Sequence, residues 1–242
     1  MIDSDQAGTR PAPWDYAAPW GARGYITDLD GPVHWIEFNA AEPEKTQSKP
    51  PIVFVHGLGG SHLNWCRLGP KLAAGRRAVA LDLHGFGLTP GLRKNSTVQA
   101  NTRLLDRWMQ RVVGEPVILV GNSMGGLISI LETASNPSAI KGVVLIDPAL
   151  PLPPQKPDWQ VSGQFLLYPT PGLGEFAVAK LLASVSPEKG VKQLVELCFA
   201  DPSRADPELT RAEVALSTQR HPATTAQAAA RGPARPRARA AP

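Results

Sequence analysis

With 242 residues and 43% hydrophobic content, the chain is long enough for one α/β domain with a sizeable core. The formal charge of +4 comes from Arg231, Arg235, Arg237 and Arg239; without them, 21 basic residues balance 21 acidic ones, so no nucleic-acid or membrane partner is expected. Cys66 and Cys198 match no metal or redox spacing, Asp3 and Asp5 interrupt any signal-peptide pattern, and no uncharged apolar run reaches spanning length, which points to a soluble, cytoplasmic protein without a disulfide framework or membrane span.

Residues 1–23 are rich in Pro, Ala and Trp without helical or strand period and read as an arm over the body. Gly24 to Asp28 and Val33 to Phe38 flank the turn signal Asp30-Gly31-Pro32 and predict an antiparallel hairpin, with His34 as a structural residue of its second strand. After a polar linker, Pro51 to Val55 has the composition of a parallel strand covered on both faces. It runs into His56-Gly57-Leu58-Gly59-Gly60. In an acyl-transfer site such a loop would present one backbone N–H, that of Leu58, toward a nucleophile, with His56, Gly57, Gly59 and His62 available as pocket residues.

Ala78 to Leu83 gives the next buried strand, followed by the glycine loop His84 to Gly87. Ser96 with Gln99 makes a capping-box signature, and Val98, Leu105, Trp108, Met109 and Val112 form one face of a helix stopping at Gly114. Val117 to Val120 is an apolar strand leading into Gly121-Asn122-Ser123-Met124-Gly125-Gly126, then the helical pattern Leu127, Ile130, Leu131, Ala134. This matches G-x-S-x-G: a sharp strand-to-helix turn holds Ser123 in a strained conformation and excludes Cβ atoms two positions either side. The serine then sits at a helix N-terminus, where unpaired N–H groups favour negative charge, and the N–H of Met124 can pair with that of Leu58 as an oxyanion hole. Asn122 is the neighbouring candidate for substrate contact. Gly142 to Ile146 gives a further strand, ending at Asp147-Pro148.

From Pro151 the pattern changes to a proline-rich link and three helical segments: Gly174 to Val185, Glu188 to Phe199 started by Ser186 and Pro187, and Glu208 to Leu216 started by Asp206 and Pro207. The 26 residues after Leu216 contain no Val, Ile, Leu, Met, Phe, Trp, Tyr or Cys, too little apolar surface to offset ordering entropy, so a disordered basic tail is expected over 221–242.

The alternating strands and helices, the His-Gly loop after the third predicted strand, Gly-Asn-Ser-Met-Gly-Gly after the fifth and the helical insertion after the sixth together resemble the α/β-hydrolase family. The resemblance implies a mostly parallel sheet with flanking helices over 24–150 and a helical lid over 151–220. It also implies a serine hydrolase acting on a small or medium apolar ester through an acyl-enzyme at Ser123. No metal or organic cofactor is implied, and lid residues Phe165, Leu166, Leu167 and Phe176 would face the substrate. The same elbow resembles that of C–C bond hydrolases of aromatic degradation. In the family's triad an acid and then a histidine follow the serine, from loops after the seventh and eighth strands, and no such strands are predicted here. Asp147 is the acid at the end of the sixth strand, a position some haloalkane dehalogenases use, and His221 is the histidine late enough in order to act as base. The resemblance therefore implies a chain cut short or shifted in reading frame near residue 221, with an exposed sheet edge open to self-association. A non-catalytic fragment is the rival reading.

Overall fold

The structure is a computed structural model that describes residues 8–38, 49–91, 96–150 and 185–230, with side chains to residue 220. β-branched and aromatic runs build one seven-stranded sheet from β1 (Thr9–Pro11), β2 (Ala22–Asp28), β3 (Pro32–Phe38), β4 (Ile52–Val55), β5 (Ala78–Leu81), β6 (Val117–Asn122) and β7 (Ile140–Ile146). The order across it is β1-β2-β3-β5-β4-β6-β7. The first three strands are antiparallel, as is the join of β3 to β5; β5, β4, β6 and β7 run parallel.

The predicted hairpin is β2–β3, with Asp28 opposite Pro32 and the Gly31 N–H donating to the Asp28 carboxylate. Part of the stretch read as an arm is sheet: Thr9–Pro11 adds an outer strand, and the Thr9 and Thr27 hydroxyls share a hydrogen bond of 2.9 Å. Three residues are too few for a readable strand period, so only the partner strand reveals them.

β4 shows why its run is apolar throughout. Val53 and Val55 join Trp35, Leu81, Leu119, Trp108 and Ile128 in the core beneath helices α2 (Val98–Trp108) and α3 (Met124–Ser135). On the opposite face Phe54 stacks on Trp65 and meets Phe38 edge-on, with α1 (Gly69–Ala73) above. The α2 cap differs from expectation: Thr97, not Ser96, accepts from the Ala100 N–H. The helix ends in a π turn, Met109–Val113, closed by Gly114 at φ 73°.

The chain divides into two units, Met1–Pro151 and Leu152–Pro242. In the second, α4 (Pro187–Cys198) begins at the predicted Ser186 cap, and α5 (Pro207–Ala230) at an Asp206 cap. The two helices contact each other. α5 continues through Ala230, across the point where the sequence places the start of a disordered tail. Its alanines carry high helix propensity, which needs no apolar face to act. Residues 174–184 of the first predicted lid helix, the lid residues Phe165, Leu166, Leu167 and Phe176, and the tail arginines lie outside the described residues. No described helix is long and apolar enough to cross a membrane.

Among the described residues β7 is paired only with β6, and Val144, Leu145 and Ile146 are exposed. Beside it a groove of about 420 Å³ opens over Ile118, Val120 and Val144, rimmed by Lys49, Lys71 and Arg76.

Glu132 lies buried in α3 with Oε1 unpartnered among the described residues. Burial, and then Asp106 nearby, push its carboxyl up to about 7. The folded value lies above the unfolded one, so stability is lost as pH rises from about 4.5 to about 7. Glu132→Gln is expected to raise the melting temperature at pH 8 and leave it nearly unchanged at pH 5; an equal shift at both would show that the charge is not what destabilises.

Candidate active site

β6 delivers Ser123 to the end of the sheet at φ 51°, ψ −117°, immediately before α3. A β-carbon-bearing residue there stores on the order of 1–3 kcal/mol of strain and persists only when its surroundings over-determine it. They do so through three glycines. A Cβ on Gly125 would lie 2.1 Å from the Val55 carbonyl oxygen, one on Gly121 2.5 Å from the Gly125 oxygen, and one on Gly126 2.8 Å from Pro148 Cβ. The serine's own backbone is also pinned, its N–H donating to Ile146 O at 3.0 Å and its carbonyl accepting from Ala149 N at 2.9 Å. The side chain is half-buried, and its hydroxyl has no hydrogen-bond partner among the described residues.

The His56–Gly60 loop sits against this turn: a Cβ on Gly57 would lie 3.1 Å from Ser123 Cβ and 3.1 Å from Asn122 Oδ1. Gly59 is left-handed, at φ 75°. Leu58 exposes its side chain, and its N–H donates to no group among the described residues. Met124 opens α3, where an N–H has no partner within the helix.

Two of the residues predicted to line a pocket point inward instead. His56 is fully buried; its Nδ1–H donates to Gly57 O at 2.8 Å, and Nε2 accepts from the Leu83 N–H at 3.1 Å, which fixes one neutral tautomer. His62 is 1% exposed and faces Asp82. Asn122 is half-buried beside the serine, its Nδ2 donating to Ile146 O.

Asp82, at the end of β5, is the residue that sequence reasoning passed over. It is fully buried, and its Oδ2 accepts from Nδ1 of both His34 (2.8 Å) and His62 (2.9 Å) and from the Leu88 N–H (2.8 Å), while Oδ1 accepts the His62 N–H at 2.7 Å. Burial alone would raise this carboxyl, but attraction to His62 and the two imidazole hydrogen bonds hold it well below the usual carboxylate range. Burial pushes His34 down, against the pull of Asp82. Gly87 closes over the carboxylate where a Cβ could not fit. Although three metal-ligating side chains, two imidazoles and a carboxylate, meet here within 4.8 Å, zinc ligands at 2.0–2.2 Å in a tetrahedron stand about 3.3 Å apart. The observed 2.8–2.9 Å separations are those of shared protons.

Of the late acid and base, Asp147 alone has a described side chain. Asp147 is exposed, in the left-handed region at φ 45°; it shapes the turn whose neighbours Ile146 and Ala149 pin Ser123. His221 falls within α5, in the second unit, and its side chain lies outside the described residues. His84 is half-buried and burial pushes it down.

This sheet order, with a strained serine between strand β6 and a helix, agrees with the match of the alpha/beta hydrolase fold family to residues 50–184. The chain belongs to the α/β-hydrolase family. Its relatives include the rice protein named Probable esterase PIR7A (Oryza sativa subsp. indica), 36% identical over 103 residues, which cover 41% of this chain and 39% of that one. Mouse (Mus musculus) sn-1-specific diacylglycerol lipase ABHD11 is 31% identical over 114 residues, 46% of this chain and 36% of the relative. The matched stretch thus spans about two-fifths or less of these relatives' length. Among solved structures, haloalkane dehalogenase DatA from Agrobacterium tumefaciens C58 superposes with TM-score 0.61 at 22% identity, over 87% of this chain and 74% of that chain. The epoxide hydrolase CorEH does so with TM-score 0.67 at 15% identity, over 87% and 74%. At such identities the likeness is one of fold.

Replacing the strained serine tests whether strain is stored at the turn. Ser123→Gly removes the Cβ at φ 51° and is expected to raise the unfolding free energy by about 1 kcal/mol, the relief of strain less the added entropy of the unfolded chain. Destabilisation in urea would mean that the turn stores no strain.

Proposed function

We propose that the chain is built as a serine hydrolase for a small or medium apolar ester. Ser123 Oγ attacks the acyl carbonyl, the N–H groups of Leu58 and Met124 receive the developing oxyanion, the alcohol leaves with a proton, and water releases the acid from the acyl-serine. The observation that carries this reading is the φ 51° conformation of Ser123, enforced by three close glycine contacts beside a loop with an unengaged amide. The esterase and lipase names of the relatives support the substrate class. A fluorophosphonate probe is expected to label Ser123, with labelling lost in Ser123→Ala; unchanged labelling in that variant would overturn the reading.

A second reading, that this 242-residue chain is a poor catalyst, is favoured by the Ser123 hydroxyl. A serine alcohol is a weak nucleophile without a base, and among the described residues His34, His56 and His62 are committed elsewhere while half-buried His84 donates to the Pro90 backbone. Turnover of p-nitrophenyl butyrate is expected to stay within the roughly 10³–10⁴-fold over water that a cradle and binding supply alone. Faster hydrolysis, abolished by Ser123→Ala, would refute this second reading.

The chain also associates with itself through β7, in the same proposal. Support comes from an edge paired on one side among the described residues and exposed apolar side chains at Val144, Leu145 and Ile146. Sizing chromatography is expected to give species above the 25.8 kDa monomer, reduced by Val144→Lys; one sharp monomer peak counts against it.

A further inference from the structure

The two ends of the loop that abuts Ser123 are tied to two consecutive residues, the start to Leu83 and the exit to Asp82. At its start, the His56 ring accepts the Leu83 N–H and donates to Gly57 O. At its exit, His62 is gripped at two points by the adjacent residue, Asp82, with its backbone N–H on Oδ1 and its ring on Oδ2. Between these anchors, among the described residues, the backbone bond within Gly57–Gly60 runs from Gly60 N to Gly57 O at 3.2 Å, and beyond it the Ser61 N–H donates to Asn64 Oδ1 at 2.7 Å. A four-residue glycine-rich segment with one internal bond does not set its own conformation, so the orientation of the Leu58 amide depends on where the two ends are held.

We propose that Asp82 is the positioning residue of the Gly57–Gly60 loop, acting through His62, and that His34 binds the same carboxylate oxygen without acting on the loop. The assignment of a catalytic purpose to that loop rests on the reading of Ser123 and Leu58 above. The two histidines provide a matched pair. Each places Nδ1 on Asp82 Oδ2, at 2.8 and 2.9 Å, from a buried site, but His34 lies in β3 and His62 two residues past the loop. A carboxylate that only glued the core would make their loss equivalent.

The test compares His62→Leu with His34→Leu by hydrogen–deuterium exchange and by the rate of fluorophosphonate labelling. His62→Leu is expected to speed exchange of peptide 57–61 on the order of 10-fold, as for a lost charge-assisted hydrogen bond, and to slow labelling similarly, while peptide 117–131 is unchanged. His34→Leu is expected to alter neither, and His62→Gln, which keeps a side-chain N–H donor, to restore the loop. Equal effects from the two leucine variants, or no effect of His62→Leu on loop exchange, overturn the proposal. If His62→Leu does not fold, the wild-type amides decide: the His62 N–H should exchange at least ~10-fold more slowly than that of Leu58, and equal rates refute the clamp. Absence of labelling in the wild type would count against the nucleophile reading alone, since the exchange comparison still decides whether Asp82 holds the loop.

Discussion

Helix α3 begins so near the end of β4 that no side chain fits between them: a Cβ at Gly125 would stand 2.1 Å from the Val55 carbonyl oxygen and 2.5 Å from that of His56. That approach forces the chain from β6 into α3 within one residue. Ser123 therefore takes a conformation that L-residues avoid, and its side chain stays partly open to solvent. The same contact sets the end of β4, and hence the start of the His56–Gly60 loop, against the serine. One steric constraint thus brings the hydroxyl and the glycine loop together.

The second layer is polar. Asp82 is a carboxylate without solvent, tolerable because every approach to it carries a donor: two imidazoles and the N–H groups of His62 and Leu88. Buried networks of this kind are costly when one member is lost and specific when complete. Here the members come from β3, from the end of β5 and from the segment after β4, so the network ties the antiparallel hairpin to the parallel half of the sheet.

The sheet is finished unevenly. Toward β3 and β4 both faces are covered, by the Trp35–Trp108 core on one side and the Phe38–Phe54–Trp65 cluster on the other. Toward β7 the described residues leave apolar side chains and a cation-rimmed groove in solvent. The strained turn is nevertheless complete, because its braces come from β4, β7 and the Pro148 turn.

Local patterns were legible in the residues themselves. Alternation and β-branching marked the strands from β2 to β7, Ser186 and Asp206 marked the helix starts, and G-x-S-x-G marked the turn, because each depends on chemistry within a few positions of the chain. What required tertiary structure were the pairings across long separations. Nothing near Thr9–Pro11 announces a strand that pairs with β2, and nothing local distinguishes a histidine facing a pocket from one bound to a buried carboxylate 20 residues away, as His62 is. His56 likewise became a brace rather than a pocket wall. The sequence alone determined that a serine would be strained at the tip of a strand; the folded chain decided which groups surround it, because hydrogen-bond partners are chosen by proximity in space and sequence records only order along the chain.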